Sequence, residues 1–351
     1  LKTIDCHRSG GSNPSLSATK TQLLSWVFFC AQKSDSKSSL SLHLRKIFYE
    51  YLRMKNWIAA ARLRTLPLAF SSILLGTFLA SFYGSFNPWV LVLCLLTTLL
   101  YQVLSNYAND YGDGVKGTDN NRKGEKRSVA SGVISASQMK MAVYIVAALA
   151  FVSGTVLSVL GTAGLSMLTT GLFILLGILA IWAAIRYTVG DSAYGYIGLG
   201  DVYVLIFFGW LGVIGSFFLQ AQSINYWIIL PATAVGFLAA GVLNLNNMRD
   251  REEDAKNGKI TLAVRFGEKK AKLYQAVLII GALLLTSVFV WHETRSIMGF
   301  LFLITLPILL NVLVKSIKAE TPEQFDPLLK PLALGTLLFS ITTGLGLLWA
   351  V

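Results

Sequence analysis

Nine long apolar blocks constrain this chain more than anything else in it. They lie at 66–84, 88–108, 139–160, 164–185, 202–220, 226–246, 272–291, 297–315 and 332–350. Each is about 18–22 residues, and at ~1.5 Å rise per helical residue that crosses a hydrocarbon layer ~30 Å thick. Within lipid every backbone N–H and C=O must find its partner inside the spanning element, which leaves helices and closed barrels. The blocks are continuous rather than alternating ten-residue segments, so they read as helices. Composition agrees, with 54% hydrophobic residues and only 14% charged, where soluble domains average about 25% charged. Such a chain cannot cover a soluble enzyme with polar side chains. With three cysteines it is not a disulfide scaffold, and it is too apolar for a disordered protein. The expected fold class is all-α, a polytopic membrane protein with nine transmembrane helices.

Residues 1–53 stand apart. They are Ser-rich, and their longest apolar run, Leu23 to Cys30, is interrupted by Ser25 and too short to span. No small-residue cleavage site follows it, as a signal peptide would need. The expectation is that 1–53 are a non-functional or misassigned N-terminal extension, and that 54–351 form the nine-helix transmembrane domain.

Charge alternates between the connecting loops. After Met54, 21 of the 22 Lys and Arg residues fall on one side of the nine spans, and Arg295 alone falls on the other. By the positive-inside rule the rich side is the cytoplasm, which puts the N-terminus of the domain inside and the C-terminus outside. The expected location is the bacterial cytoplasmic (inner) membrane, with the active site on its cytoplasmic side.

Two of the basic-side segments share a pattern. The first reads Asn106-Tyr-Ala-Asn-Asp110-Tyr-Gly-Asp113-Gly-Val-Lys116-Gly, and the second Asn246-Asn-Met-Arg-Asp250-Arg-Glu-Glu-Asp254-Ala-Lys-Asn-Gly-Lys259. In both, an Asn precedes an Asp by four residues, and a second Asp follows three or four later. On a helix those offsets share one face. Spans two and six would each end in a cluster of hard oxygen ligands, which suggests two related halves facing one another. Clustered carboxylates repel unless a cation neutralises them, and Mg²⁺ is commonly held by one or two carboxylates plus phosphate oxygens. Basic residues trail each cluster: Lys116, Arg122, Lys126 and Arg127 after the first, Lys256, Lys259 and Arg265 after the second. Carboxylates for the metal beside cations for the outer phosphate oxygens suit a Mg²⁺–diphosphate complex. The plain alternative is a pair of solvated loops with salt bridges. A cation-coupled transporter is the other alternative, but no Lys, Arg, Asp or Glu lies mid-span, where coupling ions bind.

From about Trp57 to Trp349 the chain resembles the UbiA-type intramembrane aromatic prenyltransferases. The segments that carry the resemblance are Ala61-Arg62-Leu-Arg64-Thr-Leu-Pro67, Ser105 through Gly117, Tyr187-Thr188-Val-Gly190 with Tyr194-Gly-Tyr196-Ile-Gly-Leu-Gly200-Asp201, and Asn246 through Gly267. The third of these is similar to the family branch whose aromatic acceptor is 1,4-dihydroxy-2-naphthoate. The resemblance implies nine helices around a central cavity open laterally to lipid. It implies a polyprenyl diphosphate held by Mg²⁺, two ions in all, with Asp110, Asp113, Asp250 and Asp254 on the metal side and Asn106 assisting. One position departs from the family pattern: the last carboxylate of the first motif is Gly117 here, with Asp119 the nearest acid.

The chemistry implied is attack of the electron-rich ring on an allylic cation with loss of the ring carboxylate as CO₂, in menaquinone biosynthesis. Lys116, Arg122, Lys126, Arg127 and Lys259 would hold the diphosphate. Arg62 and Arg64 would clamp diphosphate or the acceptor carboxylate, or serve as positive-inside anchors. Tyr187, Tyr194, Tyr196 and Trp182 are candidates to shield the cation, and Tyr187 could equally be an interfacial anchor. Asp201 or Asp191 would orient the acceptor or take its proton. A sister activity on 4-hydroxybenzoate is the nearest rival. Membrane lipid is an expected partner and nucleic acid is not.

Overall fold

The computed structural model describes residues 39–117, 127–190 and 193–350, with no strand among them. The chain divides into two units, Leu1–Ala59 and Ala60–Val351. The first is described only through the helix α1 (Ser39–Ala61). The second holds α2 (Leu66–Phe82), α3 (Pro88–Lys116), α4 (Ala136–Gly161), α5 (Met167–Arg186), α6 (Gly200–Ala221), α7 (Tyr226–Lys256), α8 (Leu262–Glu293), α9 (Ile297–Lys318) and α10 (Pro322–Trp349). Among the described residues nine helical stretches are long and apolar enough to cross a membrane, the first running from Glu50 to Phe82. The nine expected spans are all there, and the chain is an integral membrane protein.

The helices differ sharply in burial. Two thirds of the apolar window of α7 is buried (67%), against 11% for α5. Along α5 the buried residues are Ala180 and Ala183, and Met167 and Leu168 at its start are almost fully exposed. An apolar face like that suits contact with lipid. The core is built where α2, α6, α7, α8, α9 and α10 meet, on Leu75, Phe217, Leu238, Ile279, Phe302 and Phe339. Cys94 packs with Ile73, Val90, Leu157 and Leu219 in a smaller cluster, as its place within an apolar span suggested.

Two boundaries depart from the sequence expectation, and both concern function. The polar segments after spans two and six are not loops: α3 continues to Lys116 and α7 to Lys256. Helix persists there because Asn106, Asp110 and Asp113 turn inward, while the backbone keeps its own ladder. α3 stops at Gly117, which takes the left-handed conformation (φ 76°) and returns its N–H to the Asp113 carbonyl. That explains the missing last carboxylate of the first motif: its position is the helix cap, where a side chain is disfavoured. A third departure lies in α6. Its stretch Leu205–Ile214 is wound as a wider π-helix, for which the sequence holds no sign.

Candidate active site

The first motif is anchored by its surroundings. Asn106 donates through Nδ2 to the Ala61 carbonyl (2.9 Å) and to Thr65 Oγ1 (3.4 Å), fixing the turn that carries Arg62 and Arg64. Arg62 sits there in the left-handed region (φ 50°), half-buried, and Arg64 is exposed. Asp110 is fully buried and accepts the backbone N–H groups of Ser128 (3.1 Å, Oδ2) and Val129 (3.0 Å, Oδ1). Asp113 accepts the Tyr196 hydroxyl (2.8 Å) and lies 3.8 Å from the buried guanidinium of Arg127. Lys116 donates to the carbonyls of Thr188 and Gly190 (both 2.9 Å) and places its ammonium 4.2 Å from the centre of the Tyr196 ring.

The Tyr187–Gly190 turn packs hard onto α3. Thr188 is buried and donates to the Ala108 carbonyl and Asn109 Oδ1, at 3.1 Å each. The approach works because residue 112 is Gly, where a Cβ would come within 2.9 Å of the Thr188 backbone.

The second motif is held by its own cations. Asp250 receives both Nε and Nη2 of Arg249 (2.7 and 2.9 Å). Asp254 lies 3.4 Å from Lys259 Nζ, which also stands 5.9 Å from the Tyr196 ring centre. Asn246 accepts from Arg249 at 2.8 Å.

Tyr196 therefore joins the two motifs. Its hydroxyl is on Asp113, its ring faces Lys116 and Lys259, and its carbonyl accepts the N–H of Ile260 at 2.8 Å. Arg265 donates to the neighbouring Ile197 carbonyl at 2.8 Å. The run from Gly195 to Gly200 forms this connection. Tyr187 stands on the same ground. Burial raises its hydroxyl well above its ordinary pKa, and the charges of Asp201, Asp113 and Asp254 raise it further. Carboxylates of both motifs and of α6 thus act on one phenol, which stays neutral. Asp201 is buried at the start of α6, one of its oxygens lacks a hydrogen-bond partner, and the Tyr274 hydroxyl is directed at its carboxylate.

Two aromatic candidates change role. Tyr194 donates its hydroxyl to the Ala183 carbonyl (2.8 Å) and stacks on Tyr203 (centroids 3.8 Å), so it braces the wall behind Tyr187. Trp182 is exposed on the outlying α5 and does not join this group. Arg122, Lys126, Asp119 and Asp191 lie outside the described residues. Tyr196 as the bridge, Thr188, Arg249 and Tyr274 were not singled out for these roles in the sequence. Arg249, directly before Asp250, was the only local signal among them.

The donor set fits a hard divalent cation. Among the described residues no three Asp, Glu, His or Cys side chains gather closely enough to enclose a metal by themselves. Each motif offers two carboxylates, so phosphate oxygens and water would complete the shell, the usual arrangement for Mg²⁺. A separate cavity of about 460 Å³, lined by Trp227, Trp291, His292, Arg295 and Phe300 among others, lies at the opposite ends of α7 and α8. His292 there stacks on Trp227 (ring centroids 3.7 Å).

Comparison with known proteins places this arrangement. Residues 69–329 match the model of the UbiA prenyltransferase family. The 1,4-dihydroxy-2-naphthoate octaprenyltransferase of Escherichia coli (strain K12) is 45% identical over 296 residues, covering 84% of this chain and 96% of that protein. A UbiA homologue from Aeropyrum pernix K1 shares the fold with a TM-score of 0.60 at 17% identity, covering 82% of this chain and 96% of that one. A UbiA homologue from Archaeoglobus fulgidus, solved with DMAPP and Mg²⁺, superposes with a TM-score of 0.57 at 17% identity, over 82% and 99% of the two chains. By the extent of the family match and the identity to that relative, the chain belongs to the UbiA prenyltransferase family.

Proposed function

We propose that this protein transfers a polyprenyl group from an allylic polyprenyl diphosphate to 1,4-dihydroxy-2-naphthoate, with loss of CO₂, the step that builds the membrane-bound menaquinone skeleton. One observation carries the reading: Tyr196 links the two acidic helix ends, with its hydroxyl on Asp113, Arg127 beside that carboxylate, and its ring facing Lys116 and the Lys259 that lies 3.4 Å from Asp254. The relative's printed activity and the ligands of the archaeal structure support the substrate classes. Asp110, Asp113, Asp250 and Asp254 would hold Mg²⁺, two ions in all, and Mg²⁺ would neutralise charge on the departing diphosphate.

The chain's own residues do the rest. Lys116, Arg127 and Lys259 would bind outer phosphate oxygens by charge-assisted hydrogen bonds, aided by Arg122, Lys126, Arg62 and Arg64. The rings of Tyr196, Tyr187 and Tyr203 would face the allylic carbon and exclude water. Asp201, buried beside Tyr187, would orient the acceptor or take its proton. We place the catalytic domain at 54–351 and the site at the cytoplasmic face of a bacterial inner membrane, on the charge asymmetry of the loops.

The test supplies purified protein in detergent with labelled polyprenyl diphosphate and either 1,4-dihydroxy-2-naphthoate or 4-hydroxybenzoate, in Mg²⁺ and then in EDTA. A decarboxylated prenyl-naphthol formed only with Mg²⁺ is the expected result. Product with the benzoate alone overturns the acceptor and keeps the mechanism. No product and no diphosphate release with either acceptor overturns the reading.

A further inference from the structure

Arg249 stands inside the second motif, and no step above uses it. It is buried, at 8% exposure. Its guanidinium donates through Nε and Nη2 to the two oxygens of Asp250, through Nη2 to Asn246 Oδ1, and through Nη1 to Asp326 in the first turn of α10. Side chains one residue apart on a helix do not face each other. Arg249 must therefore fold back along α7 to grip Asp250. A two-pronged grip engages both carboxylate oxygens, and a hard cation needs at least one of them. The guanidinium already neutralises Asp250, so a cation gains most from that carboxylate once the two-pronged grip loosens. The guanidinium has a second carboxylate ready in Asp326, 77 residues further along the chain and half-exposed.

We propose that Arg249 is an exchangeable counterion for Asp250, and that Asp326 is the positioning residue that retains Arg249 when Asp250 turns to the cation. The proposal rests on the Mg²⁺ reading of Asp250. Without Asp326, releasing Asp250 would leave a buried guanidinium with Asn246 as its remaining partner in this network, and an uncompensated buried charge is strongly unfavourable. Loss of Asp326 should therefore tighten the Arg249–Asp250 pair and weaken metal loading. It also ties loading at the end of α7 to the start of α10.

The test measures thermal unfolding of the full chain in detergent while Mg²⁺ is titrated, with an allylic diphosphate present and no acceptor. In Asp326→Asn the Mg²⁺ midpoint should rise about tenfold, the size of effect seen when a group behind a metal ligand is lost. Asp326→Glu should restore the midpoint, and in an Arg249→Gln background Asp326→Asn should shift it no further. An unchanged midpoint in folded Asp326→Asn overturns the proposal and leaves the metal reading intact. Should Asp326→Asn fail to fold, Arg249→Gln decides alone. Removing the competitor should lower the midpoint, whereas a merely structural Arg249 would leave it at or above the wild-type value. If the wild type shows no Mg²⁺-dependent stabilisation, the metal reading fails and the proposal with it. If Asp250→Asn keeps the wild-type midpoint, Asp250 leaves the metal site and the proposal falls.

Discussion

At the end of α3, Asp110 is tied by both oxygens to backbone N–H groups and Asp113 is tied to a phenol; at the end of α7, Asp250 and Asp254 face the charged side chains of Arg249 and Lys259. The same amide–carboxylate spacing thus serves two purposes. The first motif is part of the scaffold: it organises the Ser128–Val129 segment and the loop of Tyr196. The second motif is neutralised by side-chain cations, Arg249 and Lys259. A backbone N–H has no alternative position, but an Arg or Lys can trade a carboxylate for a phosphate oxygen. The two halves therefore differ in what a lost carboxylate should cost.

The largest expected contrast is between Asp110→Ala and Asp250→Ala. Each should lower turnover by about 10²–10³, as for other lost electrostatic anchors. Only Asp110→Ala should also destabilise the protein in EDTA, by roughly 1–3 kcal/mol for each buried amide left without its acceptor. Melting of both variants in EDTA checks this, and equal melting would erase the distinction. Lys259→Gln should come next, raising KM for the diphosphate about tenfold through loss of one charge-assisted bond. Its metal-free melting should barely change, because Lys259 belongs to the exchangeable side.

Tyr196→Phe sharpens the comparison at the junction. It removes the hydrogen bond to Asp113 but keeps the ring under Lys116 and Lys259, so about 1 kcal/mol of stability should be lost. Calorimetry or denaturant melts would show whether Tyr196→Ala costs clearly more. The smallest effect concerns pH. The Tyr187 hydroxyl is raised above its ordinary value of 10 by burial first, then by Asp201, Asp113 and Asp254. The folded protein therefore holds this proton more tightly than the unfolded chain. Its contribution to stability is full below pH 10 and falls as pH climbs above it. Tyr187→Phe should flatten that alkaline loss and leave stability between pH 6 and 9 unchanged.

Much of the site was visible before the fold. Asp110, Asp113 and Lys116 lie on the last turns of α3 and Asp250 and Asp254 on those of α7, while Arg127 and Lys259 lie in the segments that follow. Where the sequence fell short was in extent: spans two and six were expected to end at 108 and 246, yet the helices run on to Lys116 and Lys256. Trp182 misled for another reason, since aromatic character does not tell an inner wall from a lipid-facing surface. Tyr194 kept its place near the site but spends its hydroxyl on the Ala183 carbonyl.

The sequence by itself determined the number of spans, their charge sidedness and the two acidic helix ends. Those depend on apolar length and on offsets of three or four residues, and both signals are local. The tertiary structure alone decided the long-range partners. Tyr196 meets Asp113 across 83 residues, Lys116 meets Thr188 across 72, and Arg249 meets Asp326 across 77. No periodicity encodes such pairings. They arise only when packed helices bring distant polar atoms together in a low-dielectric interior, where each buried charge must be met by a donor or a counterion.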